Sequence, residues 1–344
     1  MTRRVTLSTI IVLYCAAFGY LFFWTTQGLA QSRPISLPQV KGASTDATIT
    51  LANAEPTPTP TPLATPKLTA YPSVLPAASS HVLAQQYVLF DVDSGRAIVK
   101  SSDVLPPVPI ASTTKLMTAH LASKYGNLDD ITIVSYDAAH QDSAGSMMGI
   151  HQNEKISIRN LLDGMLLVSG NDAAHAVAEY IGGILLDNPS ASAADKTARF
   201  VTEMNAEAAR LYMTQTHYMD PAGFNDEGRS TALDLAKIAS IDLADPLIQP
   251  IMNTPGFITI YSKSGYRYDL HDSDRLISDA PYAGTIGGKT GFTYEAGHCL
   301  VTGAKQGGHT LIAVILHTNS DDTNASANEA RKLLDYGFNN TVWQ

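Results

Sequence analysis

The sequence predicts an α+β fold, an antiparallel β-sheet flanked by helices. Two observations carry this. β-rich segments occur near residue 87 and again after residue 257, and helical periodicity fills the interval between them. Apolar residues make up 44% of the chain and charged ones 16%, enough to build a sizeable core. Strands at both ends with helices between are best satisfied by one sheet whose first and last strands meet, covered by helices.

The first strands are Tyr87 to Val92 and Arg96 to Lys100, a hairpin across Asp93-Ser94-Gly95. Ala111 to Tyr125 reads as a buried helix, with Leu116, Met117, Ala119, Leu121 and Ala122 apolar and Gly126 closing it. Ser157 can cap a helix running to Val168, and a second helix is expected from Asp172 to Ile181. Phe200 to Leu243 is again helical, broken at Asp220 to Gly228, with Thr231 and Asp234 spaced as a capping box. Strands follow at Phe257 to Tyr261 and Tyr266 to Leu270, then at Lys289 to Tyr294, Gly297 to Gly303 and His309 to His317. A final amphipathic helix is expected from Thr323 to Tyr336.

The N-terminus has a different character. Arg3 and Arg4 precede an uncharged run from Val5 to Trp24. Twenty residues at about 1.5 Å each span about 30 Å, the thickness of a bilayer core. Paired arginines before the run favour an orientation that exports everything downstream. Residues 1–30 are therefore read as a membrane anchor, with a secretory signal cleaved near Gly28-Leu29-Ala30 as the rival. Residues 31–81 are rich in Pro, Thr, Ala and Ser and include PTPTPTP, the composition of a disordered linker. About fifty such residues span on the order of 40 Å as a coil. Residues 82–344 are expected to form the folded domain, placed outside the cytoplasmic membrane, or secreted if the segment is cleaved. A net charge of −9 and the lack of any basic run longer than a pair argue against nucleic acid as a partner. Cys15 and Cys299 are the only cysteines, so the folded part has no internal disulfide.

Three short motifs carry possible chemistry. In Ser112-Thr113-Thr114-Lys115, residues three apart on a helix share a face, so the amine can reach the hydroxyl. A serine hydroxyl needs a base, and a lysine among apolar neighbours has the lowered pKa that a base requires. Ser169-Gly170-Asn171 lies between two predicted helices, offering a hydroxyl for proton transfer and an amide to hold a carbonyl. Lys289-Thr290-Gly291 begins a predicted strand, where cation and hydroxyl suit a carboxylate and glycine allows close backbone approach. Each motif alone also fits an ordinary helix start, corner or turn; a triplet similar to the third, Lys263-Ser264-Gly265, fills a hairpin turn.

In this order the three motifs are the signature of penicillin-binding proteins and serine β-lactamases. The runs PIASTTKLMTA, LLVSGNDAA, MDPAGF, STALDLAKIA and GGKTGFTYEAGHCLV resemble the low-molecular-mass penicillin-binding proteins that are serine-type D-alanyl-D-alanine carboxypeptidases. The resemblance covers roughly Val82 to Phe338 and implies a β-lactamase/DD-peptidase-like fold with a helical subdomain. It implies Ser112 as nucleophile, Lys115 as base and Ser169 as proton relay. Asn171 would hold the acyl side of the substrate, while Lys289, Thr290 and Gly291 bind the terminal carboxylate. The backbone N–H groups of Ser112 and Phe292 would form an oxyanion hole. The implied substrates are peptidoglycan stem peptides, with β-lactam antibiotics entering the same path and no cofactor or metal required.

Two departures stand out. Many relatives carry histidine where this chain has Phe292. Relatives also often have an asparagine-rich stretch where this chain reads His271-Asp272-Ser273-Asp274-Arg275; with no third ligand suitably spaced, a solvated loop is expected there. Relatives typically continue into a small β domain and a C-terminal anchor, a role the N-terminal segment would take here. A class A β-lactamase would need a Glu-x-x-Leu-Asn pattern between Asn171 and Lys289, and none occurs. A DD-endopeptidase, using the same residues, and a non-catalytic penicillin-sensing module remain as alternatives.

Overall fold

The structure is a computed structural model that describes residues 73–74, 82–318 and 322–342, all within one compact unit spanning Pro66–Gln344. The apolar N-terminal run and nearly all of the Pro/Thr-rich segment lie outside the described residues. Among the described residues no helix is long and apolar enough to cross a membrane.

In chain order, β1 (Ser73–Val74) is followed by the hairpin β2 (Gln86–Asp91) and β3 (Arg96–Lys100). Asp91 Oδ2 accepts from Ser94 N–H at 3.0 Å, and Gly95 takes a φ of 69° to close the turn. Then come β4 (Val108–Pro109), a 3₁₀ turn (Ala111–Thr114), α1 (Lys115–Tyr125), β5 (Ile131–Ile133), α2 (Tyr136–Ala139) and β6 (Lys155–Ser157). The helical layer continues with α3 (Ile158–Leu166), α4 (Asn171–Leu185), α5 (Ala193–Arg210), β7 (Arg229–Ser230), α6 (Ala232–Asp242) and α7 (Gln249–Met252). The C-terminal part holds β8 (Phe257–Tyr261), β9 (Arg267–His271), β10 (Thr285–Thr293), β11 (Gly297–Gln306), β12 (His309–Thr318), α8 (Ala325–Asn340) and β13 (Thr341–Val342).

The central sheet has the order β10-β11-β12-β2-β3, antiparallel throughout. The predicted meeting of first and last strands is the β12–β2 pair, from Leu311↔Asp91 to Leu316↔Gln86. Alternation divides the two faces. Val88, Phe90, Val301, Ile312, Val314 and Leu316 face the main core shared with α1, α3, α4 and α6. Leu89, Leu300, Leu311, Ala313 and Ile315 face Ala330, Leu333 and Leu334 of α8. Gly337 permits that contact, because a Cβ there would sit 2.4 Å from Leu89 Cδ2.

Several boundaries move. The segment at Ala111 starts as a 3₁₀ turn before becoming α-helical at Lys115. α5 begins seven residues before Phe200, at Ala193, capped by Ser192 accepting from Asp195 N–H at 3.1 Å. Its first turns are polar, so apolar periodicity alone starts too late. Ser157 and Thr231 cap as expected, each accepting from the N–H three residues on. β10 starts at Thr285 rather than Lys289, which puts the third motif inside the strand. At the N-terminal side, β1 pairs with β13 ahead of Val82.

Candidate active site

The nucleophile candidate owes its geometry to the 3₁₀ turn. Side chains at i and i+3 eclipse in such a turn, and Lys115 Nζ lies 2.8 Å from Ser112 Oγ. Ala111 enters the turn with φ 46°, a left-handed conformation for a residue with a Cβ. Lys115 is fully buried, and its Nζ also donates to Asn171 Oδ1 at 2.7 Å and to Ala222 O at 2.8 Å. Three acceptors saturate an ammonium. A neutral amine would keep two donors for Asn171 and Ala222 and turn its lone pair toward the Ser112 hydroxyl. Burial holds the Lys115 pKa well below 10.5, and the nearby Lys289 charge depresses it further, against weaker opposition from Asp220 and Asp172.

Ala222 O is placed by Asp220, whose Oδ1 accepts from Ala222 N–H at 2.6 Å and Gly223 N–H at 2.5 Å; Oδ2 takes Asn225 N–H at 2.7 Å. Gly223 has φ 75°, and a Cβ there would fall 1.9 Å from Ala111 O. The Asp220–Gly223 loop is thus moulded onto the nucleophile turn.

The second motif ends α3 and starts α4. Ser169 has φ 62° and is 6% exposed. Asp172 fixes the facing loop, its carboxylate accepting from the N–H groups of Met148, Gly149 and Ile150 at 2.7 to 3.0 Å. Asn171 N–H donates to Ser146 O at 2.8 Å, and Gly145 leaves room for the Asn171 amide, 2.2 Å from where a Cβ would stand.

The third motif lies on β10, an edge strand of the sheet, against the 3₁₀ turn. A Cβ on Gly291 would meet Ser112 N at 3.0 Å and Thr113 N at 3.1 Å. Lys289 is 1% exposed, and its Nζ donates to Ser169 Oγ and Thr290 O, both at 3.0 Å. Burial pushes the Lys289 pKa down to about 8, against the raising effect of Asp272 and Asp274. Thr290 Oγ1 is 2.6 Å from Ser273 Oγ. Phe292 is half exposed, with its ring 4.5 Å from that of His298 between centroids. One cleft of about 660 Å³ is lined by Ser112, Ser169, Asn171, Thr290, Gly291 and Phe292. A larger hollow of about 850 Å³ beside Pro106 holds none of the three motifs.

Three motifs far apart in sequence thus line or directly support one cleft. A profile of D-alanyl-D-alanine carboxypeptidases matches residues 73–320. The chain belongs to the D-alanyl-D-alanine carboxypeptidase family. It is 32% identical over 259 residues to a D-alanyl-D-alanine carboxypeptidase of Mycobacterium tuberculosis, covering 74% of this chain and 82% of that protein. It is also 32% identical over 251 residues to a D-alanyl-D-alanine endopeptidase of Pseudomonas aeruginosa, 72% of this chain and 76% of that one. Among solved structures, a Streptomyces DD-transpeptidase superposes with a TM-score of 0.68 at 29% identity, over 75% of this chain and 98% of that one.

Within this carboxypeptidase-family site, one expectation is overturned. His271 to Arg275 is no solvated loop: Asp272 is 3% exposed and Asp274 1%. The segment is drawn in between the end of α3 and β10, Ser273 N–H donating to Leu167 O at 3.0 Å while its hydroxyl meets Thr290. Asp220, Gly145, Ser273 and Arg275 also shape or line the cleft, although none of them belongs to the three motifs. The run MDPAGF contained Asp220, but nothing local revealed that its carboxylate organises a loop over Lys115. Among the described residues no three His, Cys, Asp or Glu side chains cluster to hold a metal.

Proposed function

We propose that this protein is a serine D-alanyl-D-alanine carboxypeptidase that removes the terminal D-alanine from peptidoglycan stem pentapeptides. The observation that carries the reading is the fully buried Lys115 amine, 2.8 Å from Ser112 Oγ and held by Asn171 and Ala222. Neutral Lys115 takes the hydroxyl proton as Ser112 Oγ attacks the carbonyl between the two D-alanines. The backbone N–H groups of Ser112 and Phe292 receive the developing oxyanion, a contribution of several kcal/mol in such sites. Ser169 passes a proton to the departing D-alanine amine, and Asn171 holds the acyl side. Lys289 and Thr290 grip the terminal carboxylate, with Gly291 letting the substrate backbone lie along β10. Water then hydrolyses the Ser112 ester. A β-lactam enters by the same attack and stays as a long-lived acyl-enzyme.

Mass spectrometry of a stem pentapeptide after incubation tests the reading: loss of one alanine is expected. Ser112→Ala should abolish both penicillin labelling and D-alanine release, and retained release in that variant would refute the assignment. The endopeptidase relative motivates a second reading, cleavage of cross-links between stem peptides, which digestion of purified cross-linked muropeptides separates. Rapid nitrocefin turnover would point instead to a β-lactamase. The apolar run after Arg3-Arg4 supports a catalytic domain outside the cytoplasmic membrane, tethered by its N-terminus. Release of the protein from washed membranes by high salt alone would argue against that tether.

A further inference from the structure

The loop from Asp220 to Gly228 meets the cleft twice. Its first part is locked beside Lys115, the Asp220 carboxylate accepting from the N–H groups of Ala222, Gly223, Phe224 and Asn225. Its second part is held by Asn225, whose Oδ1 accepts from Glu227 N–H at 2.9 Å and whose carbonyl accepts from Gly228 N–H at 3.0 Å. Between these anchors Asp226 is half-buried and lines the cleft. Thr293, at the end of β10, donates its hydroxyl to Asp226 Oδ1 at 2.6 Å and accepts from Ala296 N–H at 2.9 Å. Of the described residues that line the cleft, Asp226 is the carboxylate and Arg275 the permanent cation. The two mark opposite ends. Ser273 Oγ meets Thr290 Oγ1, which puts Arg275, two residues on, at the Thr290 end. Thr293 lies three residues further along β10, about 10 Å at roughly 3.4 Å per residue, with Gly291 and its contact to the Ser112 turn between them.

The direction of the substrate rests on the carboxypeptidase reading: with its terminal carboxylate at Lys289 and Thr290, the acyl part runs along β10 toward Thr293 and Asp226. Phe224, two residues before Asp226, and Phe292, next to Thr293, are 42% and 50% exposed and line the cleft as well. Exposed rings beside a carboxylate suit an aliphatic chain that ends in an amine. We propose that Asp226 is a specificity-determining residue that takes the side-chain ammonium of the diamino acid preceding the two D-alanines. Thr293 occupies Oδ1 and steadies the carboxylate, leaving Oδ2 to accept from the ammonium. An amine that has been acylated into a cross-link carries no charge, so Asp226 favours stem peptides whose amine is still free.

The test compares two pentapeptides ending in Lys-D-Ala-D-Ala, one with a free lysine amine and one with that amine acetylated. In the full chain, kcat/KM for D-alanine release should be about tenfold higher for the free amine, the scale of one half-exposed charged hydrogen bond. Asp226→Asn keeps an acceptor oxygen for the Thr293 hydroxyl and removes the charge. It should lower kcat/KM for the free-amine peptide to that of the acetylated one, whose own value stays within about twofold. Glu227→Gln removes the neighbouring acid, which does not line the cleft, and should leave the tenfold preference in place. Equal rates for the two peptides in the unaltered protein, or a preference that survives Asp226→Asn, overturn the assignment. An equal fall for both peptides in Asp226→Asn would make Asp226 a mere tether of the loop and overturns it too. If neither peptide loses alanine, the carboxypeptidase reading fails, and binding still decides this inference. NMR titration of both peptides into Ser112→Ala, with and without Asp226→Asn, then gives the dissociation constants. Tighter binding of the free amine that vanishes with Asp226→Asn supports the assignment, and equal binding sinks it.

Discussion

At the scale of single residues, two lysines in one cleft are pushed in the same direction by burial and used in opposite ways. Lys115 is held well below 10.5 chiefly by desolvation, which suits a base. Lys289 is lowered only to about 8 because Asp272 and Asp274 oppose its burial, which suits a cation. The free amine of Lys115 is the reactive form, so acylation should rise with pH through its depressed pKa and fall where Lys289 loses its proton. Lys115→Arg replaces the amine with a guanidinium that stays protonated at all accessible pH. It should lower Ser112 acylation by about 10³-fold, in the range that general-base catalysis contributes, and should abolish the rising limb of the pH profile. Stopped-flow acylation with a fluorescent penicillin measures both. A rising limb that survives in Lys115→Arg would show that another group is the base.

At the scale of elements, the site is a contact between an edge strand and a 3₁₀ turn. Gly291 sets their separation, since a Cβ would press on Ser112 N and Thr113 N at 3.0 and 3.1 Å. Gly291→Ala should push β10 away from the turn and slow acylation by about 10²-fold, the cost of roughly 1 Å of misplacement. The melting temperature should change by only a few degrees, because the strand keeps its ladder to β11. Acylation kinetics and thermal unfolding on one sample separate the two effects. The helices were largely legible: Ser157 and Thr231 cap where their side chains implied, and α1 ends at Gly126. The 3₁₀ start was not, because Ala111 with φ 46° depends on the Gly223 loop packing against it rather than on local preference.

At the scale of the molecule, β12 and β2 join distant segments, and α8 covers the face they share. The β1–β13 pair adds a last clasp, bringing Ser73 opposite Val342. A chain beginning at residue 82 loses that clasp and should be less stable by about 1 kcal/mol, the scale of one net hydrogen bond in so short a pair. Its acylation rate should match that of a chain beginning at residue 66, because the clasp does not touch the cleft. Urea unfolding of the two chains gives the difference; an equal midpoint would mean that the pair carries no stability.

Sequence alone determined the sheet with its helical cover, the three motifs and their order, because periodicity, caps and catalytic triplets are local patterns. It did not determine that Asp272 and Asp274 are buried, or that Asp220 holds Ala222 O on Lys115. Both depend on which surfaces meet once the chain has folded. A polar His-Asp-Ser-Asp-Arg run looks solvated until Leu167 and Thr290 are found on either side of it. The fold is α+β as the sequence predicts, with edge strand β10 placed beside the Ser112 turn. Only tertiary packing decided the electrostatics there, because the charge a lysine carries depends on neighbours that are remote in sequence.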